Sequence, residues 1–182
     1  MPGMMGGGGM GGGGMMGGSG AVGKYQVDEA DRMRMAIVEL APKVLAEDKT
    51  PQTQSILKKL EQPISMNFPN ETPLEDVLKY IKSATQGPND SGVPIYVDPL
   101  GLKEVEKTLT SAVAINLEEV PLKMSFRLLL KQLGLAYCVR DGLIIVSSVR
   151  GVHQELMEAA AGTGWTVGGI PIPSQLGGGG FR

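Results

Sequence analysis

The chain is poor in the residue types that carry most chemistry. Its 182 residues include one cysteine, Cys138, and one histidine, His153. A lone cysteine excludes an intrachain disulfide, and a lone histidine with no cysteine cluster nearby in sequence cannot supply a metal shell. Aromatic residues make up 4% of the chain. Tyr80, Tyr96 and Tyr137 lack the basic company of a stacking platform for bases. Lys and Arg total 17 against 19 Asp and Glu, a net charge of −2 with the signs interspersed. No basic block provides the footprint of phosphate-backbone binding. No apolar run approaches the ~18 residues of a membrane span. The first residues show neither a charged n-region nor an apolar h-region, so no secretory signal is read there. Phosphate-cradling and dinucleotide glycine fingerprints are missing. So is a G-x-x-G clamp between two helices, although a small α+β nucleic-acid-binding domain of the KH type is the alternative reading of the fold class.

The remaining candidates for catalysis have simpler explanations. Glu75-Asp76 and Glu118-Glu119 lie where helices begin, and negative charge is favourable there without acid–base work. Cys138 sits between Tyr137 and Val139 in an alternating strand, the setting of a packing residue, and no nucleophile motif joins it to His153. No catalytic, cofactor-binding or metal-binding residue is assigned, no small-molecule substrate is implied, and the chain reads as a non-enzyme.

What the sequence does have is strongly segmented. Of its 27 glycines, 13 precede Lys24 and nine lie from Gly151 onward. Glycine adds chain entropy and buries nothing, so a packed core belongs between those ends. Residues 1–23 form a Met/Gly leader in which GGGGM occurs twice, Gly6–Met10 and Gly11–Met15. Such a tract has no apolar face and reads as a disordered tail. Soft-metal capture by its thioethers is the functional alternative, set against glycine-only spacing. Residues 150–182 read as a short helix and a Gly-rich disordered tail. Ile170-Pro171-Ile172-Pro173 is the one tail segment suited to docking, extended along a groove or edge.

Residues 24–61 read as a helical arm. Met33, Ile37, Leu40 and Val44 recur on one helical face, Pro42 is expected to bend or break that helix, and Thr50-Pro51 opens a second short helix with Ile56, Leu57 and Leu60. The stripe needs cover, either from the chain's own sheet or from a protein partner or second copy. These four residues are the candidate partner-binding set.

Residues 62–149 read as an α+β domain in βαββαββ order, a small mixed sheet with two helices on one face. Strands are predicted at 64–68, 95–97, 113–117, 135–139 and 143–147. The first helix, near 73–86, should be capped by Thr72 with Glu75 completing a capping box, and carries Leu74, Val77, Leu78 and Ile81. The second, near 121–133, carries Leu122, Phe126, Leu129, Leu130 and Leu133, with Gly134 placed to end it. Leu102 to Thr108 adds a turn or two. Arg140-Asp141-Gly142 marks a hairpin turn. Met66-Asn67-Phe68 followed by Pro73-Leu74 echoes Ile115-Asn116-Leu117 followed by Pro121-Leu122. This is either two copies of a strand–helix unit sharing a sheet or a chance match.

The runs ISMNFPNETPLEDVLKYIKSATQ, IYVDP and VAINLEEVPLKMSFRLLLKQLGLAYCVRDGLIIVSS resemble the secretin and TonB short N-terminal domain of bacterial envelope proteins. The matching positions are Pro73, Leu74, Asp98, Pro99, Pro121, Leu122, Leu129, Leu130, Leu133, Gly134, Leu135, Tyr137, Asp141 and Gly142. The resemblance covers about half the chain. It implies a compact two-helix, small-sheet fold in a periplasmic or envelope setting, acting as a non-catalytic module for protein interaction and assembly. Gly87–Pro94 and Gly101–Ser111 are additions to the family pattern, and no outer-membrane barrel follows.

Overall fold

The structure, a computed structural model, describes residues 28–162. The Met/Gly leader, with its thioether metal reading, and the tail from Thr163, including Ile170–Pro173, lie outside the described residues. The elements run α1 (Glu29–Glu47), α2 (Pro51–Glu61), β1 (Pro63–Pro73), α3 (Leu74–Ala84), β2 (Ile95–Val97), α4 (Pro99–Glu104), β3 (Ala112–Pro121), α5 (Leu122–Gln132), β4 (Leu135–Arg140), β5 (Leu143–Ser148) and α6 (Val149–Ala160). This is an α+β fold.

The strands do not share the single sheet expected of them. β1 and β3 form a two-stranded antiparallel ribbon, while β2, β5 and β4 form a separate mixed sheet in that order. β2 runs parallel to β5, and β4 runs antiparallel to it. The helices accordingly do not lie on one face of one sheet. α5 packs against β3 and β1 on one side and β4 on the other. Leu74, Val77 and Ile81 of α3 and Phe126, Leu129 and Leu130 of α5 join one core with Met66 and Val113 of the ribbon and Ile144 and Val146 of the mixed sheet. All of these except Val113, which is 2% exposed, are fully buried. Leu78 is half-buried at the margin of this core.

The ribbon makes the internal echo structural. Asn67 pairs with Asn116, Met66 with Leu117 and Phe68 with Ile115, so the two matching tripeptides lie head to tail across one antiparallel ladder. Each strand then runs through a proline into a helix beginning at Leu74 or Leu122. The two strand–helix units share a sheet around a local pseudo-twofold.

The helix entrances differ from the sequence reading. Pro73 is the cap residue of α3, with no side-chain cap, and Thr72 Oγ1 donates to the Asn70 carbonyl instead. The first amides of α3 are satisfied by main chain from elsewhere: Leu74 N–H donates to Ser111 O and Glu75 N–H to Leu109 O. At the equivalent place, Leu122 N–H donates to Gln62 O. Long-range carbonyls thus replace the local capping box, and they bring each helix start to the chain entering the partner strand. The ribbon strands also extend further than predicted, because they continue past an irregularity between Phe68 and Thr72 that takes Pro69 out of the ladder.

α1 passes through Pro42 to Glu47 without breaking. The proline deprives only the Val38 carbonyl of its helical partner, and both residues face outward, Val38 being 68% exposed. Water can satisfy that carbonyl, so the cost of the proline falls short of helix termination.

The outer face of the mixed sheet is covered by α1 and α6. Strand alternation divides the hairpin cleanly. Leu135, Val139, Ile144 and Val146 face the main core, whereas Cys138 and Ile145 face outward onto Val44, Val152 and Leu156. The arm is therefore a layer of the domain. Its second joint is polar: Asp48 Oδ2 accepts from Thr53 Oγ1 at 2.6 Å and from Asp141 N–H at 3.0 Å, tying the α1–α2 link to the β4–β5 turn. Asp141 and Gly142 both have positive φ, as the predicted Asp-Gly turn requires.

Candidate functional site

The candidate partner-binding stripe is distributed unevenly. Val44 is buried against Cys138, Ile145, Val152 and Leu156, and Ile37 and Leu40 pack half-buried on the same cluster. Met33 is half-buried near the start of α1. The exposed apolar residues of this helix are others, Met35 and Val38, at 64% and 68%. Sequence periodicity ranked the stripe by spacing and gave no hint that the adjacent face carries apolar residues bordering a cavity, which Ile37 of the stripe also lines.

That cavity is an open cleft of about 610 Å³ between α1, α2, α5 and β4. Val38, Ala41 and Leu45 form one wall, Leu57 and Leu60 one end, and Leu128 with the α5 stems the opposite wall. The consecutive residues Leu135–Val139 of β4 line it. An unbroken run of strand residues along a cleft means that the strand's own main chain borders it, since side chains alone would alternate.

The direction of that main chain follows from the sheet. Ile144 N–H donates to Pro94 O, and Asp98 N–H donates to Val146 O, so residues 144 and 146 of β5 turn their main-chain groups toward β2. Residues 143, 145 and 147 then face β4, where they meet Arg140, Cys138 and Ala136. The peptide groups of Leu135, Tyr137 and Val139 therefore point the other way, toward the free side of β4. β4 ends the sheet, and no main-chain partner meets these three residues among the described residues.

The rim is cationic. Arg34, Lys123, Arg127 and Lys131 line the cleft with Glu61 as the only acid. Lys123 and Glu61 close one end as an ion pair of 2.7 Å. Arg34, Arg127 and Lys131 have no carboxylate partner among the described residues. Among the described residues Arg127 donates to Met124 Sδ, at 3.6 Å.

Two groups of the cleft, Tyr137 and Cys138, are shifted by burial toward their neutral forms. Burial pushes the Tyr137 phenol up to about 12, with Arg127 opposing. Its hydroxyl donates to the Lys123 carbonyl at 3.4 Å and its ring packs on Phe126 with centroids 5.0 Å apart. The Cys138 thiol is also pushed up to about 12, chiefly by burial and then by Glu155. A thiol so far above its ordinary value is a packing group rather than a nucleophile. His153 stands half-buried on α6. Among the described residues no three His, Cys, Asp or Glu side chains are grouped to hold a metal, and no helix is long and apolar enough to cross a membrane.

No known protein family, curated protein or solved structure matches this chain. What the cleft can do must therefore come from its own chemistry: apolar walls, three outward peptide groups and cations without acids to pair with.

Proposed function

We propose that the chain is a non-catalytic protein-interaction module whose cleft takes an extended polypeptide segment along the free edge of β4. The observation that carries this reading is the coincidence of an apolar cleft with a strand edge that meets no main-chain partner among the described residues. An added strand would gain main-chain hydrogen bonds from Leu135, Tyr137 and Val139, and its alternate side chains would enter pockets on either side. Unpaired strand edges are usually covered; helices flank this one, whose Leu135 and Val139 are 1% and 5% exposed, so an added strand enters by parting the cleft walls. Arg34, Arg127 and Lys131 favour a partner segment with acidic residues flanking its apolar ones. The resemblance to the secretin and TonB short N-terminal domain supports the same class of function, assembly within the bacterial envelope, and suggests that compartment.

The test is selection of displayed random peptides on the full-length protein at low salt. Enriched sequences should alternate apolar residues and carry Asp or Glu at their flanks. Leu128→Asp should weaken their binding by roughly tenfold or more, because Leu128 lies on the wall yet is 42% exposed and not needed by the core. Failure to enrich, or binding indifferent to Leu128→Asp, would overturn the proposal. Tight, steeply salt-dependent binding of generic RNA or DNA would instead favour the KH-like alternative.

A further inference from the structure

We infer that the cleft holds one molecule of an anionic amphiphile, an alkyl carboxylate whose chain lies between α1, α2 and α5 and whose head group rests on Arg34 and Lys131. The inference goes beyond the edge-binding reading and does not depend on it. An alkyl chain needs no strand hydrogen bonds, and it fits with the walls where they stand.

The cleft has two chemically different ends. Asp48, at the C-terminal end of α1, accepts from the Asp141 amide in the β4–β5 turn. α1 packs along α6, which starts beside the Leu135 end of the hairpin and finishes near Val44 and Asp48. The earlier residues of α1 therefore lie toward Leu135, and Arg34 stands at that end. Lys131 precedes Leu135 by four residues, across the turn at Gly134, and stands there too. Arg127 is one helical turn further in. At the far end, Leu45 adjoins Val44, and Leu57 lies one turn beyond Thr53, whose Oγ1 accepts from Gly142 N–H at 2.8 Å.

Charge follows the same axis. Arg34, Arg127 and Lys131 have no carboxylate partner among the described residues. Arg34 is half-buried as well. A half-buried guanidinium without a counter-ion favours an incoming carboxylate, to which its planar fork can donate two hydrogen bonds. Asp48 and Asp141 stand beyond the apolar end. A carboxylate is drawn to one end and repelled from the other, which fixes the direction of the ligand.

Size agrees. The volume of about 610 Å³ falls within the ~300–1,000 Å³ of small-molecule sites. The run Leu135–Val139 makes the cleft about 13 Å long, the scale of a medium-length alkyl chain. Val38 and Leu128, exposed on opposite walls, gain cover from that chain. A molecule with one charge and one apolar tail matches the polarity of the cleft along its whole length.

Dodecanoate, added below its micelle concentration to the full-length protein and followed by calorimetry and NMR, tests this. One molecule should bind per chain. Nuclear Overhauser contacts should run from its terminal methyl to Leu45 and Leu57, and from the methylene beside the carboxylate to Arg34 or Lys131. Decanoate, two methylenes shorter, should bind roughly tenfold more weakly. Dodecyltrimethylammonium, with the same chain and the opposite charge, should also lose roughly tenfold or more. Arg34→Gln/Lys131→Gln should weaken dodecanoate binding by roughly tenfold or more. The thermal midpoint of the free variant should match wild type, since neither residue is in an ion pair. No saturable binding, several molecules per chain, reversed contacts, or equal binding of the anionic and cationic chains overturns the inference. So does sedimentation of the protein with phosphatidylglycerol vesicles without binding of free dodecanoate, since the cleft then meets a membrane surface. If selected peptides bind and dodecanoate does not, this inference alone fails. If dodecanoate binds and no peptide does, the edge-binding reading fails instead.

Discussion

At the scale of single residues, Asp48 does the most for the least volume. Burial alone raises the pKa of its carboxyl, but hydrogen bonds from Thr53, from the Thr50 amide and hydroxyl and from the Asp141 amide outweigh that, and the net shift is downward. A carboxyl with a lowered folded-state pKa stabilises the fold above its unfolded value, near 3.9, and that contribution is lost as pH falls through the folded value. Asp48→Ala should therefore cost about 0.5–1.5 kcal/mol at neutral pH, the net range for hydrogen bonds whose donors water can still reach. The difference from wild type should shrink toward zero in denaturant melts taken well below pH 4. A gap that persists in acid would mean that Asp48 acts through packing instead. Gly101 is a second residue of this kind. A Cβ there would meet Ser147 Oγ and lie 2.6 Å from the Ser148 amide nitrogen, so α4 can approach β5 only with glycine at that position. Gly101→Ala should cost roughly 1–3 kcal/mol by calorimetry, because main chain cannot step aside as a flexible side chain does.

At the scale of elements, the sequence was most legible where a residue's partners are its own neighbours. The apolar stripes of α3 and α5, the Asp-Gly turn and the left-handed Gly134 after α5 (φ 74°) stand as read. It was least legible where a distant segment supplies the partner. Thr72 and Glu75 have the spacing of a capping box, yet the start of α3 is satisfied by Ser111 and Leu109, some 35 residues away. Nothing in the local sequence encodes that choice. The cleft was illegible for the same reason: Val38, Leu128 and Tyr137 come from three separate elements, and only the seating of both α1 and α5 on β4 makes them one surface. The two faces of α1 give a direct experiment on this helix. Val44→Asp places a charge among Cys138, Ile145, Val152 and Leu156 and should lower the thermal midpoint sharply. Met35→Asp, on the exposed side, should leave stability within about 0.5 kcal/mol of wild type. Similar losses from both would mean that the exposed face is covered as well.

At the scale of the whole molecule, the question is why two small sheets behave as one fold. A two-stranded ribbon is marginal alone, and a three-stranded sheet with a three-residue edge strand is little better. Each is stabilised by what it packs on, and the shared element is α5, which contacts β1 and β3 on one side and β4 on the other. Its Leu129 and Leu130 are fully buried in a core that runs without interruption from Val113 and Ile115 to Ile144 and Val146. The pseudo-twofold of the ribbon adds to this coupling, because each strand continues directly into a core helix, so the ribbon cannot fray without displacing α3 or α5. The mixed sheet has in addition its own outer layer, Val44, Val152 and Leu156, which would hold it together if the main core were lost. Two outcomes of one substitution separate these possibilities. Leu130→Ala should cost roughly 2–5 kcal/mol, the range for an emptied leucine site. If α5 couples the sheets, methyl resonances of Met66 in the ribbon and of Leu156 in the outer layer should melt together, at the same reduced temperature. If the outer layer is self-sufficient, the Met66 signal should shift to lower temperature while the Leu156 transition stays near its wild-type midpoint. The continuity of the core across α5 predicts the first result.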